Sequence, residues 1–250
     1  MVDPAAAALR GARKVVVFSG AGISAESGVP TFRDDLTGLW ARFDAAKLAT
    51  PEAFDDDPDL VWGWYEWRRA RTLRAEPNAG HVAVAAIEAR VPGSVVVTQN
   101  VDDLHERAGS KAPIHLHGSL FAPRCVAAGH PATVDAAPAS DEGRRLPPPR
   151  CVECGALVRP GVVWFGEALP EQAFRAAVDA ATECDVLLSV GTSGVVYPAA
   201  ALPMIAANAG ATVIQVNPEP TPLDEVCAVN LRGTAADTLP ALVAAAWPDR

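Results

Sequence analysis

Four short runs of β-branched and aliphatic residues, each ending in a polar or glycine-rich turn, limit what this chain can fold into more than any other feature. They are Lys14–Phe18, Ser94–Thr98, Asp185–Val190 and Thr212–Val216. A strand that is apolar at successive positions, not alternate ones, is buried on both faces, as in a parallel sheet. Helical patterns lie between and after these runs, at His81–Arg90, Glu171–Glu183, Ala199–Ala209 and Asp237–Ala246. Strands alternating with helices predict a doubly wound α/β fold of the Rossmann type. Such sheets bind ligands at the carboxyl ends of their strands. That places the turns Ser19–Ser24, Gln99–Asp103, Gly191–Gly194 and Asn217–Glu219 around one crevice.

Two segments break the alternation. Asp34–Glu76 is helical and rich in Trp and Arg; Phe121–Pro160 holds three cysteines and a Pro/Ala/Asp-rich stretch, Pro131–Pro149, that reads as a mobile loop. Together they predict a small lobe, from about residues 34–76 and 121–160, inserted into one domain spanning 1–250. The Ala-rich start, Met1–Ala12, predicts a short surface helix and lacks the apolar stretch of a secretory signal. A net charge of −9 argues against nucleic-acid binding, and no run of about 18 apolar residues predicts a membrane span. The expectation is a cytoplasmic monomer. Five cysteines, an odd number with two as Cys151-Val-Glu-Cys154, suggest metal before disulfide. Cys184 and Cys227 fall in core-like elements and are expected as buried thiols.

The string Gly20-Ala21-Gly22-Ile23-Ser24-Ala25-Glu26-Ser27-Gly28-Val29-Pro30 follows the first strand directly. Glycines there let a backbone approach a pyrophosphate, although the third glycine of the common dinucleotide fingerprint is replaced by Ala25. Continued through Thr31-Phe32-Arg33, this string resembles the first signature of the sirtuins. Thr98-Gln99-Asn100-Val101-Asp102 resembles the second signature and Leu116-His117-Gly118 the third. Trp164-Phe165-Gly166-Glu167, Gly191-Thr192-Ser193 and Val216-Asn217 follow in the family's order. The resemblance runs from about Val15 to Leu239 and is strongest to the branch containing bacterial sirtuins and the mitochondrial desuccinylase.

The resemblance implies an NAD-dependent protein-lysine deacylase acting on acylated proteins and releasing nicotinamide and 2′-O-acyl-ADP-ribose. It implies that Gly20, Ala21, Gly22 and Glu26 belong to the NAD loop. Phe32 would shield the reactive ribose carbon, and Arg33 and Trp40 would belong to the same cofactor loop. Gln99, Asn100 and Asp102 would serve the nicotinamide ribose and amide. Gly191, Thr192, Ser193, Asn217 and Ala235 would contact phosphates, ribose and adenine. His117 would be the general base, with Asn100 beside it in catalysis. By residue type alone, Asp102 also suits a helix N-cap, and His117 has a rival in His115 two positions earlier.

Tyr65 and Arg68 stand at i and i+3 on one helix face and resemble the acyl-pocket pair of the desuccinylase branch. A guanidinium and a phenol there suit a succinyl carboxylate; the alternative is an ordinary amphipathic helix with Trp62, Trp64 and Trp67 packed and the arginines solvated. The substrate would pair as a strand near Val162–Phe165 and Gly194–Tyr197, with Val163 and Phe165 touching it. Sirtuins usually carry two Cys-x-x-Cys pairs on structural zinc. Here Cys151 and Cys154 form one, whereas Cys125 is followed at that spacing by Ala128. His130 as a substitute ligand, a water-completed or weak site, and no zinc all remain open. The rivals in function are NAD-dependent protein ADP-ribosylation and a non-catalytic NAD or ADP-ribose sensor.

Overall fold

The computed structural model describes residues 2–29, 42–134 and 143–248. Its frame is a six-stranded sheet, all parallel, built from β1 (Val15–Ser19), β2 (Val95–Thr98), β3 (Ile114–His115), β6 (Val186–Val190), β7 (Thr212–Val216) and β8 (Val229–Leu231). The order is β3-β2-β1-β6-β7-β8. The chain moves outward from β1 in one direction and then restarts at β6 on its other side. The strand order therefore reverses between β1 and β6, and that reversal opens the ligand crevice of a Rossmann sheet.

Alternate residues of the central strands feed two cores. Val15, Val17, Leu188, Val190, Ile214 and Val216 pack with α1 (Val2–Gly11), α5 (Ala79–Arg90) and α9 (Ala235–Ala246). Val16, Phe18, Leu187 and Val213 face α7 (Glu171–Glu183) and α8 (Leu202–Asn208). Burial on both sides is why these strands lack a polar alternation. Two strands escape the sequence pattern. β3 has only two residues. In β8 the apolar run is broken by Asn230, whose Oδ1 accepts a bond from Gln215 Nε2 at 2.9 Å. The amino-terminal helix differs from expectation as well: Ala5, Ala6 and Leu9 are fully buried against α9, so one face of α1 belongs to the core.

The described parts of the two interruptions share a third core. α2 (Ala45–Leu48), α3 (Pro51–Asp56) and α4 (Pro58–Arg74) pack on a two-stranded antiparallel pair, β4 (Arg124–Cys125) with β5 (Val158–Arg159). α4 starts where Asp57 Oδ1 accepts from Leu60 N at 3.1 Å, with Pro58 in the first turn. Those are the usual means of satisfying the first free N–H groups of a helix. Leu60–Trp67 is buried along its whole length, so all three tryptophans of α4 pack, as their residue type favours. Part of the expected mobile loop is fastened: Leu146 N donates to Asp59 O at 3.0 Å, and Arg145 pairs with Asp57. No described helix is long and apolar enough to cross a membrane.

Candidate active site

At the β1/β6 reversal the two strands send their loops into backbone contact. Gly20 N donates to Val190 O and Gly22 N to Gly191 O, both at 2.9 Å. A Cβ on Gly22 would stand 2.7 Å from Gly191 Cα, so any side chain would push these loops apart. The glycine pattern expected to approach a pyrophosphate is thus also required for the loops to meet. Beside it, Gln99 Nε2 donates to Thr192 Oγ1 at 2.9 Å, and Asn217 Nδ2 donates to Thr192 O at 2.9 Å. Ser193 lies half-buried in the same turn. The Gly20–Gly22, Gln99, Gly191–Ser193 and Asn217 positions therefore converge, as the strand topology required. Glu26 and Ala235 have protein partners: Glu26 Oε2 accepts from Ala236 N at 3.0 Å at the start of α9, and Ala235 is buried against Gly80. Phe32, Arg33 and Trp40 lie outside the described residues.

Ser24, not singled out by the sequence reading, is the hub of the crevice. It is 1% exposed. Asn100 Nδ2 donates to Ser24 Oγ at 3.1 Å, and Ser24 Oγ donates to Asp102 Oδ2 at 3.0 Å. His81 Nε2 approaches the same oxygen at 3.4 Å. Because Asn78 N must donate to His81 Nδ1, the His81 proton sits on Nε2 and points at Ser24. The hydroxyl then accepts twice and donates once, which saturates it. Burial pushes the His81 imidazole down to about 4, which keeps it in this neutral form. The same cause depresses His105 to about 3 behind it; its Nε2 lies 2.9 Å from Ser19 Oγ. Asp102 takes the capping role its residue type suits and also meets the hub. Oδ1 accepts from Leu104 N at 3.1 Å, in the manner of a helix cap, while Oδ2 faces Ser24. Burial raises its carboxyl above the usual range.

His117 follows β3. Its Nδ1 lies 2.9 Å from Gln99 O, a carbonyl that can only accept. The proton is therefore on Nδ1, and Nε2 carries the lone pair a base needs. Burial lowers its pKa, with the Gln99 bond opposing. The next residue turns the chain: Gly118 has φ +74°, and a Cβ there would meet Gly161 O at 2.1 Å. Gly118 bridges to Val162, and Val163 N donates to His117 O at 2.8 Å. His117 thus sits where the sheet crosses into the small lobe. Of the segments expected to face a substrate, Phe165 and Val195–Tyr197 are exposed, whereas Val162, Trp164 and Gly194 are buried.

Tyr65 is 3% exposed, and its hydroxyl accepts from Trp164 Nε1 at 3.1 Å. The Arg68 guanidinium lies over the Trp64 and Tyr65 rings, 5.1 and 5.6 Å from their centroids. Burial pushes the phenol up to about 12 and lowers the Arg68 pKa; each favours the other's charged form. Trp164 is itself clamped. Its backbone N–H donates to Glu167 Oε2 at 2.8 Å, Arg159 grips Glu167 at 2.6 and 2.8 Å, and the Arg159 guanidinium lies 3.4 Å from the Trp164 ring centroid.

The metal-ligand set is complete with His130. The Sγ atoms of Cys125, Cys151 and Cys154 and a His130 ring nitrogen all lie within 4.8 Å of one another. Cys125 and Cys154 sulfurs are 3.5 Å apart, and Cys151 Sγ is 3.6 Å from His130 Nε2. Tetrahedral zinc with bonds of about 2.0–2.3 Å spaces its ligands by roughly 3.5–3.8 Å, so the donor set fits. The hairpin explains the substitution. Cys125 N donates to His130 O at 3.0 Å, which sets residue 130, not 128, opposite Cys125. Ala128 contributes its backbone N–H instead, which with that of Ala127 lowers the Cys125 thiol. Cys184 is buried, as expected, whereas Cys227, after the turn that precedes β8, is only half-buried; burial pushes both thiols to about 11.

Comparison with known proteins agrees with this geometry. Residues 20–198 match the model of the Sir2 family. The chain is 60% identical to NAD-dependent protein deacylase 1 of Pseudomonas aeruginosa over 96% of its length and 97% of that protein's. It is 58% identical to the NAD-dependent protein deacylase of Methylococcus capsulatus over 97% and 96% of the two chains. Among solved structures, a Sir2 homolog–NAD complex superposes with a TM-score of 0.90 at 44% identity, covering 97% of this chain and 93% of that one. A Sir2–p53 peptide–NAD+ complex gives 0.84 at 31% identity, covering 97% of each. The chain belongs to the Sir2 family.

Proposed function

We propose that this protein is an NAD-dependent protein-lysine deacylase that yields nicotinamide, 2′-O-acyl-ADP-ribose and free lysine, with a pocket suited to acidic acyl groups. The observation that carries the reading is His117. Its Nδ1 proton is committed to the carbonyl of Gln99, the residue before Asn100, whose amide reaches Ser24, and Nε2 is left with the lone pair of a base. Relatives at 58–60% identity are NAD-dependent protein deacylases, and the solved relatives include complexes with NAD and with a peptide.

When bound, NAD supplies an anomeric carbon that the acyl oxygen can attack as nicotinamide departs. The chain's own groups do the rest. The Gly20–Gly22 and Gly191–Ser193 backbones hold the phosphates. Asp102 accepts from the nicotinamide amide, and Asn100 holds the ribose. His117 Nε2 takes the proton relayed from the ribose hydroxyls, and neutral imidazole is the form its lowered pKa favours. Arg68 and Tyr65 meet the far end of the acyl chain. Cys125, His130, Cys151 and Cys154 would hold zinc, whose role would be structural, joining the end of β4 to the Cys151–Cys154 turn. Mass analysis of products from NAD with matched acetyl- and succinyl-lysine peptides tests the reaction. Deacylated peptide, lighter by its acyl group, appearing together with 2′-O-acyl-ADP-ribose supports it; ADP-ribose attached to protein would transfer the assignment to ADP-ribosylation.

A further inference from the structure

His115 and His117 alternate along the edge of the sheet, and their rings reach two successive carbonyls of the loop after β2. His117 Nδ1 lies 2.9 Å from Gln99 O, and His115 Nδ1 lies 3.1 Å from Asn100 O. The other nitrogen separates the two. His115 Nε2 meets the Glu106 carboxylate at 2.8 Å. A carbonyl and a carboxylate only accept, so both nitrogens of His115 must carry protons for both bonds to exist. We propose that His115, held as an imidazolium between Asn100 O and Glu106, is a positioning residue that fixes the Gln99–Asn100 loop and thereby both Asn100 and the carbonyl that orients His117.

The charges around the ring agree. Glu106 on α6 (Leu104–Arg107) and Asp102 in the preceding loop favour the cation; His105, on the same helix, faces it but is neutral because burial depresses it to about 3. The net result raises His115 above an ordinary imidazole, although burial alone would lower it. The side chain is 17% exposed, so solvent only partly screens the pair. Deprotonation leaves one N–H for two acceptors. The carboxylate is the stronger acceptor, so the remaining N–H stays with Glu106 and the loop loses its tie at Asn100 O. Among the described residues, the Asn100 side chain is then held by Ser24 and its backbone N–H by Thr98 Oγ1. Loss of the tie is expected as pH rises through the raised His115 pKa, because the cation is the form that makes both bonds.

The structural arm of the test needs no turnover, so it stands apart from the deacylase reading on which the kinetic arm rests. In the ¹⁵N-labelled full chain at pH 7.5, both His115 nitrogens are expected in the protonated imidazolium range, assigned by their loss in H115Q. In E106Q the same signals should titrate at least one pH unit lower. In turnover, H115Q should lower kcat about tenfold, a cost typical of slight misplacement of a reacting group, with the KM for NAD within about twofold of wild type. The alkaline limb of the pH profile should move down in E106Q and vanish in H115Q, while the acidic limb belonging to His117 stays. A neutral His115 at pH 7.5 overturns the proposal. So does a wild-type kcat and profile in folded E106Q, which removes only an exposed carboxylate and keeps the fold accessible if H115Q unfolds.

Discussion

The Nδ1 atom of His117 stands 2.9 Å from the carbonyl oxygen of Gln99, and that bond decides which nitrogen can act as base. Removing the imidazole removes the base without touching the Gly20–Gly191 loops. His117→Ala is expected to lower kcat by about 10²–10⁴-fold, with NAD binding retained by calorimetry. The lowered pKa sets the sign of the pH dependence: the base form is present at neutral pH and activity falls as pH drops through the His117 pKa. Near-normal turnover in a folded variant would transfer the base role to another group.

The acyl pocket is tested by selectivity. Charge-assisted hydrogen bonds to a carboxylate are worth about 1.5–3 kcal/mol each, which acetyl groups cannot use. Arg68→Met is expected to raise KM for succinyl peptide about tenfold or more while changing deacetylation little. Tyr65→Phe should act in the same direction more weakly, because a phenol offers a neutral hydrogen bond where the guanidinium offers charge-assisted ones. Equal loss on both peptides would assign Arg68 to packing on Trp64 and Tyr65.

A four-ligand site changes what purification should find. The sequence spacing, with Ala128 at the place of a cysteine, favours weak or partial loading, whereas the grouped Cys125, His130, Cys151 and Cys154 atoms favour one zinc per chain. Elemental analysis should find about one equivalent, and His130→Ala should lose most of it under mild chelation while Ala128→Ser does not. Metal retention unchanged in His130→Ala would remove the histidine from the ligand set.

Gly118→Ala is expected to destabilise the fold by roughly 2 kcal/mol or more, combining the cost of a positive φ with overpacking against Gly161 O. Thermal melting should record it as a drop of several degrees. A melting temperature equal to wild type would mean that the crossing into the small lobe relaxes more easily than its 2.1 Å clearance implies.

The buried imidazoles give stability its own pH dependence. His81 and His105 have folded pKa values near 4 and 3, below the ordinary imidazole near 6.5. Between those values the unfolded chain binds more protons. Stability is therefore fully present above about pH 6.5 and declines as pH falls toward the folded values, by at most ~1.4 kcal/mol per pH unit for each group. Urea melts at pH 7 and pH 5 check this, and His105→Phe should flatten the slope if it folds.

Much of the site could be read before any coordinates. The strands Thr212–Val216 and Asp185–Val190 and the helix Glu171–Glu183 announce themselves because their periodicity is local. The motif strings then place Gly20–Gly22, Asn100, Asp102 and His117 at strand ends. What stayed hidden depends on groups distant in sequence. Ser24 becomes a hub only when β1 and β2 pair, bringing Asn100 76 residues onward within 3.1 Å. β3 was too short to carry a period, and β8 hid behind Asn230, whose partner Gln215 is on another strand. His130 replaces the missing cysteine because a hairpin, not a spacing, decides which residue faces Cys125. Charge states were the least legible, since a proton's place is set by the acceptors around it. By residue type alone His115 and His117 were equals, separated only by the motif match; a carboxylate on one and a carbonyl on the other make them a cation and a base.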